Sequence, residues 1–484
     1  MHKHIRTALA TTAAAALTGS LLAVAAGAAS ATVTGAKVDF NGDGYADVAV
    51  SAGNAYVSGK KGAGQIVALY GSAHGLSSSK RKTISQNTTG VPGSAETNAG
   101  FGWVSAIGDF NGDGYSDLAV GAPLDNVGTD TDGGSVAILW GSAGGLTGGT
   151  AINNPATSSN DKWGQSLAAG DFDGDGTDDL AIGSNASTIY VYKGGINKSG
   201  TPGGRYTVKP AIMSGGDTGP LNLTAGDVNG DGKVDLVVDG YETTSDKGWN
   251  ANYYLPGTAS GLTTSNGVKL SAGIITGIGD VNGDGYGDIV TGMQWDATSG
   301  VPGTSKGGKV KITYGSATGP AASTTFTQNS GAVPGDSETS DQFGNELALG
   351  DINADGYQDL AVGTQGEDIG SDTNTGAVTV LFGSASGIDT TNNIQYFTQD
   401  RAGVPGTNED NDYFGSDVHL DDVNGDGKAD LTVGAYGENG GDGSITGLLS
   451  SGSRITTTGA VGISASAAGV STTGSPVLGG NFAN

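Results

Sequence analysis

A nine-residue stretch with regularly spaced oxygen-bearing side chains occurs seven times in the 484-residue chain. In the copy that starts at Asp109, side-chain oxygens fall at positions one, three, five and nine, and Gly114 is at position six. Carboxylates this close repel one another unless a cation lies among them, and Ca²⁺ takes roughly six to eight oxygens. The glycine permits a sharp backbone reversal that a residue with a Cβ resists. The spacing therefore predicts a calcium-binding loop.

All seven copies keep Asp at positions one, five and nine, Gly at six, and Asn or Asp at three. Asn-Gly and Asp-Gly turns need no metal, but three fixed aspartates in seven copies favour up to seven bound Ca²⁺ ions. We expect the side chains of positions one, three and five, both oxygens of position nine, and the carbonyl of position seven to bind the ion. The predicted ligands are Asp39, Asn41, Asp43, Tyr45 and Asp47; Asp109, Asn111, Asp113, Tyr115 and Asp117; Asp171, Asp173, Asp175, Thr177 and Asp179; Asp227, Asn229, Asp231, Lys233 and Asp235; Asp280, Asn282, Asp284, Tyr286 and Asp288; Asp351, Asn353, Asp355, Tyr357 and Asp359; and Asp422, Asn424, Asp426, Lys428 and Asp430.

The residues after position nine predict that each loop joins two β-strands. An EF-hand has a bidentate Glu at position twelve and a helix on each side, whereas position twelve here is Val, Ile or Thr. An apolar residue follows position nine in every copy, and stretches such as residues 117–121 alternate or run apolar as strands do. These loops are therefore predicted to lie in β-hairpins and not in EF-hands.

Each repeat is predicted to contain four short antiparallel strands. In the fullest repeat these are residues 101–110, 118–122, 135–140 and 149–153. Similar third strands recur at residues 65–70, 188–192, 309–314, 377–382 and, less clearly, 444–449. Seven repeats spaced 53–71 residues apart predict an all-β fold over residues 32–484, a seven-bladed β-propeller of four-stranded antiparallel blades with calcium-binding hairpin loops. A parallel β-helix would need shorter and more uniform coils.

The two ends of the sequence are predicted to complete one blade together. No Phe-Gly strand precedes Asp39, while residues 478–483 have the pattern of residues 163–168, the first strand of the third repeat. We expect the C-terminal strand near residues 478–484 to complete the first blade and cover two sheet edges. The alternative is a disordered Ser/Thr/Gly tail from about Ser453.

The first 31 residues have the features of a secretory signal peptide. Basic residues precede an apolar run over residues 8–28, and Ala29-Ser30-Ala31 is a small-x-small cleavage pattern, so the mature chain is expected to begin at Thr32. No later stretch reaches the length of a membrane helix. We expect a secreted, extracellular protein without membrane insertion, and a monomer. Because it has no cysteine, metal is the evident stabiliser outside the cell.

The acidic character of the chain limits its partners. The formal charge is −27, and positions one, three, five and nine of the seven loops hold 22 of the 49 acidic residues. Binding to nucleic acid or to an anionic membrane is therefore not expected. The remaining partner classes are an extracellular protein or a glycan.

Paired aromatic-glycine and Gly-Ala-Pro motifs give the chain a resemblance to a known family. Phe101-Gly102, Phe343-Gly344 and Phe414-Gly415 match the first motif, Trp163-Gly164 is a variant, and Gly121-Ala122-Pro123 matches the second. With the aspartate loops, these motifs resemble FG-GAP repeats, which form the seven-bladed propeller of integrin α subunits and of many secreted bacterial proteins. The resemblance implies metal loops on one face and ligand binding on the opposite face. The repeats from Asp227 and Asp280 lack the aromatic-glycine pair.

A catalytic site has little support in the sequence. Beyond the leader only His74 and His419 remain, which cannot form a three-histidine zinc site. Residues 303–307 match the G-x-S-x-G pattern without the strand-to-helix context of a nucleophile elbow. A glycosidase-type carboxylate pair stays open. A secreted carbohydrate-active or lipid-cleaving hydrolase or lyase is therefore the alternative to a non-catalytic binding or adhesion module.

Two further sets of residues are candidates for binding. Aromatic side chains cluster in repeats four and five, where they could form a ligand platform for sugars or pack between blades; they are Trp249, Tyr253, Tyr254 and Trp295. Acidic residues outside the loops could form a second cation set or lie in solvated turns; they are Asp125, Asp130, Asp132, Asp368 and Asp372.

Overall fold

The computed structural model describes residues 37–245 and 247–483. Within these ranges, twenty-seven strands form seven antiparallel sheets, and the strands of each sheet pair in sequence order. The predicted signal peptide and cleavage site lie outside the described residues. No helix of the described part is both long and apolar enough to cross a membrane.

The strands of blades one to four run from β1 to β15. Blade one contains β1 (Val48–Ala52), β2 (Gln65–Leu69) and β3 (Arg81–Ile84); blade two contains β4 (Val104–Gly108), β5 (Asp117–Ala122), β6 (Ser135–Trp140) and β7 (Thr147–Ala151). Blade three contains β8 (Leu167–Gly170), β9 (Asp179–Ile182), β10 (Ile189–Lys193) and β11 (Gly204–Val208); blade four contains β12 (Asn222–Gly226), β13 (Asp235–Tyr241), β14 (Asn250–Leu255) and β15 (Val268–Lys269).

Blades five to seven contain β16 to β27. Blade five contains β16 (Ile275–Gly279), β17 (Asp288–Met293), β18 (Lys309–Thr313) and β19 (Ser323–Phe326); blade six contains β20 (Leu347–Gly350), β21 (Asp359–Thr364), β22 (Ala377–Leu381) and β23 (Gln395–Phe397). Blade seven contains β24 (Phe414–Asp421), β25 (Asp430–Ala435), β26 (Ser444–Leu448) and β27 (Val461–Ser464). Short helical turns occur at Ala297–Ser299 and Glu438–Gly441. The predicted all-β, seven-bladed propeller is confirmed.

The C-terminal residues pair with the first blade. Ser51 donates its N–H to the Asn481 carbonyl at 2.7 Å, and Ala483 donates to the Ala49 carbonyl at 2.8 Å. Phe482 forms an antiparallel bridge with Val50 and is fully buried. This segment therefore takes the place of a first strand beside β1, whose sheet otherwise has three strands. The alternative of a tail without structure from Ser453 is wrong for the described residues, since β27 lies within it.

The core lies between neighbouring blades. The second strands are buried along nearly their whole length, and the apolar residue at position two of every loop is buried beneath it. First strands of successive blades, such as β4 and β8 or β20 and β24, contact one another. Because each loop connects a first strand to a second strand, all seven loops lie at the same end of their blades.

Candidate metal centre

The carboxylate at position one holds each loop in shape. In the first loop, Asp39 Oδ1 accepts the N–H of Gly42 at 2.6 Å, and Oδ2 accepts that of Gly44 at 2.8 Å. The bond from position six to Oδ2 recurs in the other six loops at 2.8–3.0 Å. The position-six glycines have φ between 80° and 89°, in the left-handed region that favours glycine. The fixed glycine is thus a requirement of the backbone path.

The carboxylates at positions one, three and five come together in the third loop. In the third loop, one carboxylate oxygen from each of Asp171, Asp173 and Asp175 lies within 4.8 Å of the other two. Position three is Asn in the other six loops, and in five of them its Oδ1 accepts the position-five N–H at 2.8–3.0 Å. The loops therefore bring together hard oxygen donors of the kind that Ca²⁺ prefers.

The aspartate at position nine lies beneath the loop and is buried in every copy. Its Oδ1 accepts a backbone N–H from a residue one or two positions beyond the third strand in all seven blades, at 2.7–2.9 Å. In five blades its Oδ2 also accepts the position-two N–H at 2.9–3.2 Å. A carboxylate oxygen has two lone pairs, so these bonds leave room for a cation contact. The residue joins the loop to the third strand as well as being a predicted ligand.

Two of these buried carboxylates show that the residue set fits a cation. Oδ2 of Asp179 and Oδ2 of Asp430 are buried and accept no hydrogen bond from any described residue. Burial, followed by repulsion from the other acids of the loop, raises the pKa of Asp179 to about 7 and that of Asp430 to about 7. A divalent ion held by the loop would supply the missing positive charge. Calcium would contribute charge neutralisation there, with positions one, three, five, seven and nine holding it.

Neighbouring loops contact one another around the propeller. The position-eight N–H donates to the position-one carbonyl of the preceding loop at 2.9–3.0 Å in six of the seven loop pairs, including that between blade one and blade seven. In the remaining pair, the carboxylate of Asp178 accepts the N–H of Asp109 at 2.9 Å instead. The tyrosine at position seven also covers the position-four glycine of the preceding loop, as Tyr115 covers Gly42 and Tyr357 covers Gly283. The seven loops therefore form a continuous ring.

Lysine ammonium groups lie beside several loop carboxylates. Lys193 forms an ion pair with Asp173, and Lys37 lies 2.9 Å from Asp422. Lys428 at position seven has its Nζ 3.5 Å from the Asp426 carboxylate. These lysines offset part of the negative charge and would compete with a metal ion at those loops.

The candidate second cation set is not brought together. Asp125 is buried and accepts hydrogen bonds from Gln86 and Ser135, while Asp130 and Asp132 lie in the blade-two hairpin. Asp368 and Asp372 lie in the corresponding hairpin of blade six. Among the described residues, the acidic cluster found outside the loops is a different one, formed by Glu409, Asp412 and Glu438.

The candidate aromatic platform separates into buried and accessible members. Tyr253 and Tyr254 are buried on β14, and the Tyr254 hydroxyl donates to Asp235 Oδ2 at 3.0 Å. Tyr254 thus supports the position-nine aspartate of loop four. Trp249 and Trp295 are half-buried, and Trp249 lines a cavity.

The candidate nucleophile elbow lacks its structural context. Residues 303–307 lie in the loop between β17 and β18, which connects two strands and not a strand to a helix. His74 is exposed in a turn, whereas His419 lies buried on β24 with its ring 6.2 Å from that of Phe482. The structure therefore adds no support for these groups as a catalytic set.

Three glutamine contacts between blades were missed from the sequence. Gln86 donates to Asp125 at 2.8 Å, and Gln328 donates to Glu367 at 2.7 Å. Gln399 donates to Glu438 at 2.5 Å, so each pair joins the end of one blade to the hairpin of the next. The signal was available, because each glutamine is followed five residues later by Val-Pro-Gly.

Comparison with known proteins identifies the repeats. FG-GAP repeats match residues 31–69, 101–139, 343–381 and 414–448, and an FG-GAP-like repeat matches residues 172–238. Integrin alpha-PS2 of Drosophila melanogaster is 29% identical over 299 residues, covering 61% of this chain and 17% of that protein. Phosphatidylinositol-glycan-specific phospholipase D of Mus musculus is 36% identical over 151 residues, covering 31% of this chain and 17% of that protein.

Among solved structures, the exotype rhamnogalacturonan lyase YesX superimposes with a TM-score of 0.41 at 12% identity, covering 86% of this chain and 71% of that one. The chain spans less than a fifth of the length of the two relatives above. The matched repeats fall on blades one, two, six and seven and across blades three and four. The chain is therefore an FG-GAP-repeat protein whose seven-bladed β-propeller is similar to that of integrin α chains.

Proposed function

We propose that this protein is secreted and acts outside the cell as a calcium-binding, non-catalytic propeller that recognises a protein or glycan. The observation that carries the metal part is the buried position-nine carboxylate, held beside the other acids of each loop. The similarity to integrin alpha-PS2 supports the binding part. Calcium fixes the loop end of the propeller and leaves the opposite end free for a ligand.

The expected energetic contribution of calcium is large. An ion present at ten times its dissociation constant stabilises the folded chain by about 1.4 kcal/mol, or roughly 10 kcal/mol over seven independent sites. That is comparable with the whole stability of an ordinary domain, about 5–15 kcal/mol. Millimolar extracellular calcium would suffice even for sites with dissociation constants of about 10⁻⁴ M.

Metal analysis and chelation test the calcium part. Protein purified from the medium is expected to contain several Ca²⁺ ions per chain, and chelation to reduce its circular dichroism and protease resistance. A secreted protein without bound calcium would contradict the proposal.

A secreted hydrolase or lyase is the second candidate, favoured by the similarity to phosphatidylinositol-glycan-specific phospholipase D. A glycan array run beside a panel of chromogenic hydrolase substrates separates the two candidates. Calcium-dependent binding without turnover supports the binding module. Turnover that is lost on replacing one acid outside the loops would establish the enzyme instead.

A further inference from the structure

A cavity of about 380 Å³ lies between blades four and five. Its lining includes Trp249, Met293, Lys269, Lys309 and Lys311. Met293 ends β17, whereas the metal loop of that blade precedes the start of the same strand. The part of the lining at Met293 and Lys309 therefore lies at the end of the blade opposite the calcium loops, in the two repeats that lack the aromatic-glycine pair.

Two lysines of this cavity replace small neutral residues of other blades. Lys309 pairs with Met293, which lies five residues after the position-nine aspartate of blade five. The residues at the equivalent position of the third strand are Ser135 in blade two and Ala377 in blade six. Lys311 likewise corresponds to Ala137 and Thr379. Blade five therefore places two positive charges on one face of a strand where blades two and six place none.

The positive charge of the cavity is neutralised only in part by the surrounding protein, through Glu242, which also lines it. Lys269 forms an ion pair with Glu242, but no carboxylate of the described residues, which omit Asp246, lies within 4.0 Å of the Nζ of Lys309 or Lys311. Lys311 donates a hydrogen bond to Ser271 Oγ at 2.5 Å. Burial, followed by repulsion from Lys311, lowers the pKa of Lys309. In a chain with a formal charge of −27, this is an unusual concentration of positive charge that an anion would neutralise.

The rest of the lining suits a sugar ring. Trp249 is half-buried and lines the cavity, and a Cβ added at Gly300 would lie 3.3 Å from its indole ring. The hydroxyls of Ser323 and Thr325 also line the cavity. An indole packs against the apolar face of a sugar while hydroxyl groups bind its polar edge. Ammonium groups bind a carboxylate or sulfate on the same ligand.

We propose that this cavity binds an acidic saccharide, with its carboxylate or sulfate between Lys309 and Lys311 and its ring against Trp249. The inference rests on the proposed binding function and gives it a ligand class. It also predicts that binding weakens as the salt concentration rises, because the attraction is electrostatic.

Binding of polygalacturonate, heparin and neutral dextran to the full chain in saturating calcium tests the proposal. We expect one or both acidic polymers to bind and dextran not to bind. K309S/K311A, which installs the blade-two residues, is expected to weaken binding about tenfold or more. W249A is expected to weaken it by a similar factor, and monomeric galacturonate and inorganic sulfate distinguish saccharide recognition from simple anion binding.

K60S/K61A is the matched control, because it removes the same charge from an exposed hairpin of blade one. Equal weakening by K60S/K61A and K309S/K311A would show non-specific attraction and overturn the proposal. Unchanged binding by a folded K309S/K311A protein, tight binding of free sulfate alone, or no binding of either polymer would also overturn it. These results would not contradict the proposed binding function if a glycan or protein array identified another ligand.

Discussion

At the residue scale, the position-nine aspartate explains why each repeat keeps an acid in a buried place. In loop six, Asp359 Oδ1 accepts the N–H of Gly383 at 2.9 Å and Oδ2 accepts that of Ile352 at 2.9 Å. Asp355 of the same loop is exposed and bonds only within the loop. Asp359 is thus a predicted ligand and a link to the third strand, whereas Asp355 is a predicted ligand whose hydrogen bonds stay within the loop.

Replacing these two aspartates with alanine should therefore have different effects. In saturating calcium, Asp355→Ala and Asp359→Ala should each lose one bound ion per chain. Asp359→Ala should also leave two buried N–H groups without acceptors, at about 1–3 kcal/mol each. Hydrogen exchange at Gly383 measures this loss, and it should quicken in Asp359→Ala only. Equal exchange in both variants would contradict the second role.

A pair of buried carboxyls away from the loops should make stability depend on pH. Burial raises the pKa of Glu346, with repulsion from Asp417 as the second cause. Burial also raises the pKa of Asp417, although the N–H groups of Phe482 and Val418 oppose the shift. The folded chain therefore holds protons that the unfolded chain releases. The stability that this pair contributes is fully present below about pH 4, and it is lost as the pH rises through the raised pKa values of the folded chain.

Glu346→Gln removes one member of this pair. We expect the variant to melt at a higher temperature than the parent at pH 9 and to differ little at pH 5, with calcium saturating throughout. Asp336→Asn, a change at an exposed acid, is the control and should leave the pH profile unaltered. A parallel profile for Glu346→Gln and the parent would show that the pair is not the source.

At the element scale, the contact between adjacent loops means that one loop supports the next. Tyr357 uses its carbonyl as a predicted ligand of loop six while its ring lies on Gly283 of loop five. A Cβ added at Gly283 would lie 2.6 Å from the Tyr357 ring, whereas one added at Gly112 would meet nothing within 4 Å. The two glycines have nearly the same φ, 72° and 73°.

Gly283→Ala and Gly112→Ala therefore separate loop packing from backbone strain. Both variants should lose about 1 kcal/mol because φ is positive. Gly283→Ala should lose a further 1–3 kcal/mol or so from overpacking against the tyrosine. Denaturant unfolding in calcium measures the difference, and Tyr357→Ser should restore part of it in Gly283→Ala. An equal loss for both glycines would refute the packed ring of loops.

The local elements could be predicted from the sequence because their determinants are local. The third strand Ser135–Trp140 has its predicted bounds, and the predicted second strand differs from β5 by one residue. The link from Asp288 to Gly315 could not be predicted, because the two residues meet only after the blade has formed. The same holds for Gln328 and Glu367, which join two blades. The lysine cavity likewise depends on the packing of blades four and five.

At the scale of the whole molecule, the C-terminal segment joins the first and last blades. Phe482 is fully buried, and its N–H donates to Asp417 Oδ2 of blade seven at 2.6 Å. The same segment pairs with β1 of blade one. A single short segment thus contacts the first and last blades, and it covers sheet edges that would otherwise pair with other chains.

Phe482→Ala should consequently weaken the propeller at one defined place. Loss of a buried phenylalanine costs about 3–5 kcal/mol, and Phe397→Ala, at an equally buried residue on the outer strand of blade six, should cost a similar amount. Only Phe482→Ala should speed hydrogen exchange in β1, because only that side chain lies beside β1. Deleting residues 478–484 should lower the melting temperature further. An unchanged melting temperature in the deletion, or equal exchange of β1 in both alanine variants, would show that the C-terminal segment does not hold blade one in place.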